Sequence, residues 1–505
     1  MGEKIDTMVK IVLTADRTLM SDNNKNVFLG FAACAPKFIP GWLYNKIFCP
    51  PIEEENGIVR FGHCGQRKIE ASLLNNGFNE KDIAVVRPDK LDKVIDKDTK
   101  VICITTHDPL GLGPASSTFG DLGGKEPFTS YFFRQLLKNP LIRRNNLTVI
   151  VGGSGAWQLT DERIMYKLGI DSVVIGEGEI SAVKLIEKAL NGEKLPRFIE
   201  GEVVPLNQIP LIMNPTINGI IEICRGCGRG CKFCNPTMMN FRCIPMDKIL
   251  HEVKINVNAG NGVIFHAEDV LRYKAKGFVP DESAIIELFT KANKLTWNLG
   301  ISHFAYASVM AKPILVKKIS ELLEAGTKKY PFVSGQVGIE TGSPRIIDKY
   351  MKGKVKPFKP KEWPDVVINA HKLMSDNNWV PINTLIMGLP GEKPEDIQKT
   401  IDLIHDLSEY KSLIVPLYFV PIGNLQCKGF FKTKDNLPEH WQLLSVCIRH
   451  MLKWSYRITE ENPPQDLGVW KIWALKRIIK YMGKRTEPYL RLMDQGISPL
   501  EHRLT

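Results

Sequence analysis

Cys227-Gly-Arg-Gly-Cys231-Lys-Phe-Cys234 is the stretch on which the reading of this chain turns. It follows a short apolar run, Ile220 to Cys224, with the pattern of a strand. Three thiolates spaced CxxxCxxC can wrap one loop around a cubane iron–sulfur cluster and leave its fourth iron without a protein ligand, open to a small chelator. Zinc is the competing reading. A four-cysteine ribbon needs a second CxxC pair, and downstream only the isolated Cys243, Cys427 and Cys447 remain. Cys224 and Cys227 with Cys231 and Cys234 would supply four thiols, but across a loop too short for an ordinary ribbon. Cys224 itself reads as a small buried residue at a strand end.

Upstream, strand-like runs at Val9 to Ala15, Ile83 to Val86, Val101 to Thr105, Leu147 to Val151 and Ser172 to Ile175 alternate with helix-like stretches at Lys68 to Leu74, Ser130 to Leu137 and Asp161 to Leu168. That alternation predicts a doubly wound, Rossmann-like α/β domain over residues 1–200, with loops at the strand C-termini open to a ligand. Two of those loops, Gly152-Gly153-Ser154-Gly155 and Gly176-Glu177-Gly178-Glu179, are rich in glycine without matching GxGxxG or a P-loop; both allow close backbone approach to something large and flat. Pro196, Pro205, Pro210 and Pro215 mark a linker at 201–219.

Downstream, six strand-like runs (Ile220 to Cys224, Gly262 to Phe265, Phe304 to Val309, Ser334 to Glu340, Asn383 to Met387, Ile414 to Val420) again alternate with helical ones, the count of a partial (β/α)6 barrel over 220–430. Residues 431–505 read as a C-terminal helical extension, with helices at Gln442 to Trp454 and Val469 to Met482; the second should pack its apolar face on the barrel and snorkel its lysines. The chain is 505 residues long, 44% hydrophobic and 24% charged, which excludes disorder, collagen and coiled coil as descriptions of the whole. The net charge of +12 is spread along the chain, no apolar run reaches the roughly 18–20 residues of a membrane span, and Met1 to Lys10 lacks a signal-type apolar core. A cytoplasmic location, with reduced cysteines, is the expectation. A metal-stabilised RNA-binding module would show aromatic-rich basic stripes, and none is evident, so nucleic acid is not expected as a partner.

The cysteine run after a first barrel strand resembles the signature of radical S-adenosylmethionine (SAM) enzymes, and four later segments fit that family in order. Val263-Ile-Phe-His-Ala-Glu268-Asp269 is similar to its acidic second-strand motif, Phe304-Ala-Tyr306-Ala-Ser308 to a later strand near the SAM ribose or carboxylate, Gln336-Val-Gly338-Ile-Glu340-Thr-Gly-Ser343 to its GIE(S/T)GS strand, and Ile386-Met-Gly388-Leu-Pro390-Gly-Glu392 to its GLPGE turn. The resemblance, over about residues 220 to 425, implies a [4Fe-4S] cluster on Cys227, Cys231 and Cys234, and SAM held by Phe233, Glu268, Ser308, Glu340 and Gly388. The implied chemistry is reductive cleavage of SAM to a 5′-deoxyadenosyl radical, fed by a ferredoxin or flavodoxin. By strand alternation Tyr306 and His266 would point into the barrel as acids, bases or positioning groups.

An N-terminal α/β domain ahead of such a core resembles the cobalamin (B12)-binding, class B methyltransferase-like branch. Gly152-Gly153-Ser154 and Asp171-Ser-Val-Val-Ile-Gly176-Glu177-Gly178-Glu179 fit its pattern, while its DxHxxG motif is absent. The resemblance implies cobalamin beside Thr106, His107, Gly152, Gly153, Ser154, Gly176, Glu177, Gly178 and Glu179, and methylation of an unactivated carbon of a protein, tetrapyrrole, lipid or small metabolite. A cyclase or rearrangement enzyme is the alternative within the branch. A methylthiotransferase is another; Cys34, Cys49 and Cys64 supply three further cysteines, but at a spacing that is not that family's.

Overall fold

A computed structural model describes residues 9–25, 27–144, 146–461 and 469–501. The chain divides into two compact units, residues 1–221 with 244–263, and residues 222–243 with 264–505.

The first unit is built on a six-stranded sheet of β1 (Ile11–Ala15), β2 (Ile83–Val85), β3 (Val101–Thr105), β4 (Thr148–Gly152), β5 (Ser172–Ile175) and β6 (Phe198–Glu200), in the order β2-β1-β3-β4-β5-β6. Every pairing is parallel. Runs such as Val101-Ile-Cys-Ile suit strands covered on both faces, and two cores result. Val12, Ile102, Val149 and Val151 pack with Phe133 and Leu137 on one side; Ile11, Leu13, Val101 and Ile150 pack with Leu73, Leu185 and Ile186 on the other. The order in which strands are laid down reverses between β1 and β3, so the crevice outside their C-terminal ends is the topological switch point where such sheets bind ligands.

The expected linker is part of this unit. Ile212 and Thr216 donate their amides to Glu252 and Asn256 of the helix Met246–Asn258, Gly62 donates to Pro215, and Ile217 to Gly62. Lys68 and Glu252 close the arrangement with an ion pair of 2.6 Å whose side chains are 4% and 2% exposed. The prolines therefore mark irregular backbone pinned by buried side chains.

The barrel strands are β7 (Ile220–Glu222), β8 (Val263–His266), β9 (Leu299–Ile301), β10 (Val333–Glu340), β11 (Trp379–Met387) and β12 (Leu413–Tyr418), and all of their residues but Ile220, Ile221 and Val263 belong to the second unit. Its ladder runs through amide bonds from Ile223 to His266, Ser302 to Phe265 and Gln336 to Ser302, then through the parallel pairs β10–β11 and β11–β12. One strand expectation is corrected: Phe304 to Val309 is not a strand. The third strand is Leu299–Ile301, and Tyr306–Ala311 is a helix, which the alanine- and methionine-rich segment favours. The alternation argument that aimed Tyr306 and Ser308 into the barrel falls with it.

Helices Pro438–Glu461 and Val469–Asp494 follow, joined along their lengths by Arg449 with Glu487 and Asp494 and by Ser445 with Asp494. The expected burial of the second helix's apolar face is not found: Trp473, Ile478, Tyr481 and Met482 are more than half exposed. The side chains of Val469, Trp470 and Lys471, part of the same expectation, lie outside the described residues. No helix among the described residues is long and apolar enough to cross a membrane.

Candidate active site

The cysteine loop springs from an antiparallel hairpin, Cys224–Arg225 against Arg242–Cys243, whose outer residues form a disulfide. Cys224 is thus neither a lone core residue nor a fourth zinc ligand, and the expectation that every cysteine is reduced is corrected at this pair. Gly226, Gly228 and Gly230 take positive φ (68°, 65° and 70°), curling the segment so that its cysteines turn inward. The amides of Cys227 and Gly228 both donate to the Met238 carbonyl, at 2.7 and 2.9 Å. Gly423 touches the loop so closely that a Cβ there would lie 2.1 Å from the Cys234 carbonyl oxygen.

Arg229, at the middle of the loop, is the residue that fixes it. Its side chain is 4% exposed; Nη1 donates to the carbonyls of Gly353, Lys354 and Lys356, while Nη2 reaches Asp269 Oδ2 (3.1 Å) and Ser308 Oγ (2.9 Å). Ser308 in turn donates to Asp269 Oδ2 at 2.7 Å. Arg272 supports the loop from another side, donating to the Cys227 carbonyl.

Burial pushes the thiol of Cys227 up, that of Cys231 to about 11 and that of Cys234 to about 12, with the neighbouring cysteines adding to the last two. Three half-buried thiols that repel one another's ionisation are a poor resting state but a matched donor set for a cluster whose irons replace the protons. Arg229 and Lys354 supply positive charge beside Cys231. No three ligating side chains among the described residues converge on a single ion. A cubane takes one thiolate per iron, so its ligands need not converge on one point.

Glu268, just past β8, is half-buried and near enough to Cys227 and Cys234 to raise both thiols; its carboxylate forms no hydrogen bond or ion pair among the described residues. Glu340 ends β10 in the left-handed region (φ 64°), where the β10–β11 register breaks. A side chain rarely sits there without being held. Lys354 holds it, at 2.8 Å from Oε1, and Gly338 leaves room: a Cβ on Gly338 would fall 1.8 Å from that same oxygen. Burial works against the Lys354 ammonium, but the Glu340 carboxylate, aided by Cys231, more than offsets it and its pKa is raised. Gly388 (φ 79°) ends β11 with Phe431 over it, a Cβ being 2.0 Å from the ring, and its amide donates to Glu392 Oε2 at 2.7 Å. The same oxygen accepts from His440 Nε2 at 3.1 Å. Phe233 is half-buried beside Cys234.

Tyr306 lies away from this group of residues, fully buried with its hydroxyl bonded to His371 and Asn383. His266 is half-exposed at the end of β8, with Nδ1 3.0 Å from Ser302 Oγ. Arg229, Lys354, Ser302 and His303 were not singled out from sequence, and Asp269 and Glu392 entered only as members of quoted motifs. Arg229 also carried a signal in its position between two cysteines of the loop.

In the first unit the switch-point loops meet. His107 Nδ1 lies 2.8 Å from Ser154 Oγ, both exposed, and the Thr106 amide donates to the Gly152 carbonyl. The space that Gly153 and Gly155 leave is taken by the chain itself: a Cβ would meet the Thr106 carbonyl at 2.5 Å and the His107 carbonyl at 2.2 Å. Gly176 takes φ 97°, and Glu177 accepts the Val204 amide, tying Gly176-Glu177-Gly178-Glu179 to the segment after β6. Two polar atoms at the switch point are buried without partners, Thr106 Oγ1 and Asp16 Oδ2. Unpaired buried acceptors and donors are rare, and here they are the observation that fits a bound group.

Comparison with known proteins agrees with this geometry. Residues 221–404 match the family model of the Radical SAM superfamily. An uncharacterized protein of Methanocaldococcus jannaschii is 24% identical over 356 residues, 59% of this chain and 66% of that protein. A tRNA-2-methylthio-N(6)-dimethylallyladenosine synthase of Thermotoga petrophila is 24% identical over 296 residues, 57% of this chain and 62% of that enzyme. The match thus spans less than two thirds of either relative's length. The fold resembles that of the radical SAM methyltransferase TsrM from Kitasatospora setae, solved with tryptophan and a SAM analogue, at a TM-score of 0.55 and 12% identity over 82% of this chain and 75% of that one. The segment 221–404, with the cysteine loop at its start, is therefore the part of the chain that matches the Radical SAM superfamily.

Proposed function

We propose that this chain is a radical SAM enzyme that uses cobalamin to methylate a carbon of its substrate. The observation that carries the reading is the loop of Cys227, Cys231 and Cys234, locked by Arg229 and faced by the unpartnered carboxylate of Glu268. A cluster on the three thiolates, when present, supplies one electron to cleave the sulfonium of SAM. Glu268 is the acceptor for the SAM amino group, the charge-assisted partner that its free carboxylate suits. Glu340, held in its bent conformation by Lys354, is positioned for ribose hydroxyls, and the Gly388 turn gives adenine a close backbone edge. The half-exposed Phe233 adds an apolar wall.

Cobalamin in the first unit would supply a transferable methyl group. Support comes from the β2-β1-β3 switch point, from the unpaired hydroxyl of Thr106, and from the exposed His107–Ser154 pair at the same loop ends. Gly176 turns the second glycine loop through a positive φ, and Glu177 braces that loop. The reductant is a small electron carrier of the ferredoxin or flavodoxin kind. A methylthio transfer is the second reading, favoured by the Thermotoga petrophila relative. It asks for another cluster, and Cys49 already donates its thiol to the Arg17 carbonyl at 3.1 Å.

Anaerobic purification and reconstitution, with iron, sulfide and cobalt measured per chain, test the proposal. About four irons and bound cobalamin are expected. About eight irons would favour the methylthio reading, four irons with no affinity for cobalamin would remove the cobalamin step, and zinc without iron would refute both.

A further inference from the structure

Two histidines of the second unit share one serine. His266 is the last residue of β8; His303 follows β9 by two residues, and Ser302 lies between their rings. His266 Nδ1 and His303 Nδ1 are each 3.0 Å from Ser302 Oγ, and the rings stand edge to face at 5.6 Å. All three side chains are half-exposed, as are Gln336 on β10 and Glu268 beyond β8. The Ser302 oxygen also touches the Ala267 backbone, 3.4 Å from its N and 3.3 Å from its O.

A hydroxyl has one proton to give. If Ser302 gives it to one imidazole, the other must donate its Nδ1–H to the serine oxygen; if Ser302 gives it to the Ala267 carbonyl, both must. In each arrangement at least one ring carries a proton on Nδ1, and in its neutral form that ring leaves Nε2 as a bare lone pair. Burial pushes His266 down to about 4, and His303 adds to this, so His266 is a neutral ring at pH 7.

We propose that His266, Ser302 and His303 form a proton-accepting relay in the barrel, and that the substrate gives up a proton from an acidic N–H, O–H or activated C–H group there. The inference rests on the radical SAM reading above and names the substrate class it leaves open. The bare Nε2 takes the substrate's proton, and the electron pair of the broken bond stays on the substrate. Where Ser302 donates to the second ring, the Nδ1 proton of the accepting ring passes to the Ser302 oxygen as the serine proton moves to the second Nδ1, and the charge ends on that imidazole; where Ser302 donates to the Ala267 carbonyl, the charge stays on the accepting ring, which keeps its bond to the serine oxygen. No oxidant or reductant is consumed. His303 and Ser302 act through His266 or beside it, according to which ring carries the bare nitrogen.

The test begins on the full-length chain with 15N-labelled histidine and long-range 15N–1H correlation, the two rings assigned with His266→Gln and His303→Gln. It needs neither cluster nor SAM. At least one ring should be the neutral Nδ1–H tautomer, and Ser302→Ala should shift the pair towards Nε2–H. Two Nε2–H rings, or no response to Ser302→Ala, would overturn the relay. In the reconstituted holoenzyme, transfer of labelled methyl from SAM to acceptors in a deproteinised cell extract should fall about 10²-fold in each glutamine variant. Its pH profile should lose the limb that the parent shows. Full transfer in both variants would overturn the catalytic role even with the expected tautomers. Loss of iron from the parent refutes the radical SAM reading instead and leaves the tautomer measurement standing.

Discussion

Replacing Arg229 with methionine should release the cysteine loop without altering a single thiol. The substitution leaves Asp269, 2% exposed, as a buried carboxylate without its ion-pair partner, and strips one donor from three carbonyls at 353–356. Breaking a buried pair from one side costs about 3–5 kcal/mol. Since each 1.4 kcal/mol is a factor of ten, local opening of the loop should become roughly 10²- to several 10³-fold more frequent. Hydrogen exchange at the amides of Cys227 and Gly228, both bonded to the Met238 carbonyl, reads that opening directly. A second variant, Arg229→Met with Asp269→Leu, removes both charges and should recover most of the protection, because an apolar replacement of a buried pair is near neutral. Exchange unchanged in the single variant, or equal loss in the double, would refute the assignment of Arg229 as the anchor of the loop.

Alanine at any one of Cys227, Cys231 or Cys234 should abolish cluster retention after reconstitution, measured as iron per chain and visible absorbance; retention of full iron in one variant would remove that cysteine from the ligand set. Gly388→Ala meets both a left-handed backbone and the Phe431 ring, and about 1–3 kcal/mol of lost stability follows, visible as a lower midpoint of thermal unfolding. Asp16 is raised to about 6, chiefly by burial, above the unfolded carboxyl near 4. The folded state therefore holds this proton more tightly, and stability should fall as pH rises from about 4 through 6; Asp16→Asn should flatten that slope in urea titrations. Glu340→Gln should weaken SAM binding and leave Lys354 buried with a neutral partner, whereas Lys354→Met with Glu340→Gln should unfold no more easily than the single change.

Local chemistry that sits inside one short stretch was legible before any coordinates. The CxxxCxxC spacing, the strand runs of β1 to β5 and β10 to β12, and the glycines of the 152–155 loop declare themselves through period, charge and composition. Partnerships between distant stretches were not. Lys354 lies 14 residues beyond Glu340 in no motif, and nothing in Ser302 or His303 suggests that His266 will turn to meet them. The mistaken strand at Phe304 to Val309 shows why short runs mislead: Phe-Ala-Tyr-Ala alternates like a strand, yet its alanines also suit a helix, and only its packing decides. The disulfide of Cys224 with Cys243 depended in the same way on a hairpin that two-residue strands are too short to announce.

Glu392 offers a last point. One oxygen of its carboxylate receives both the Gly388 amide and Nε2 of His440, whose other ring nitrogen accepts the Leu437 amide at the head of the helix Pro438–Glu461. Mechanically, this is a rivet: the turn that closes the fifth barrel strand and the start of the C-terminal helices are fastened through a single atom. A tag, fusion or truncation that tugs on those helices would be felt at the turn, so expression designs that treat everything past residue 430 as dispensable would loosen the rim they intend to preserve.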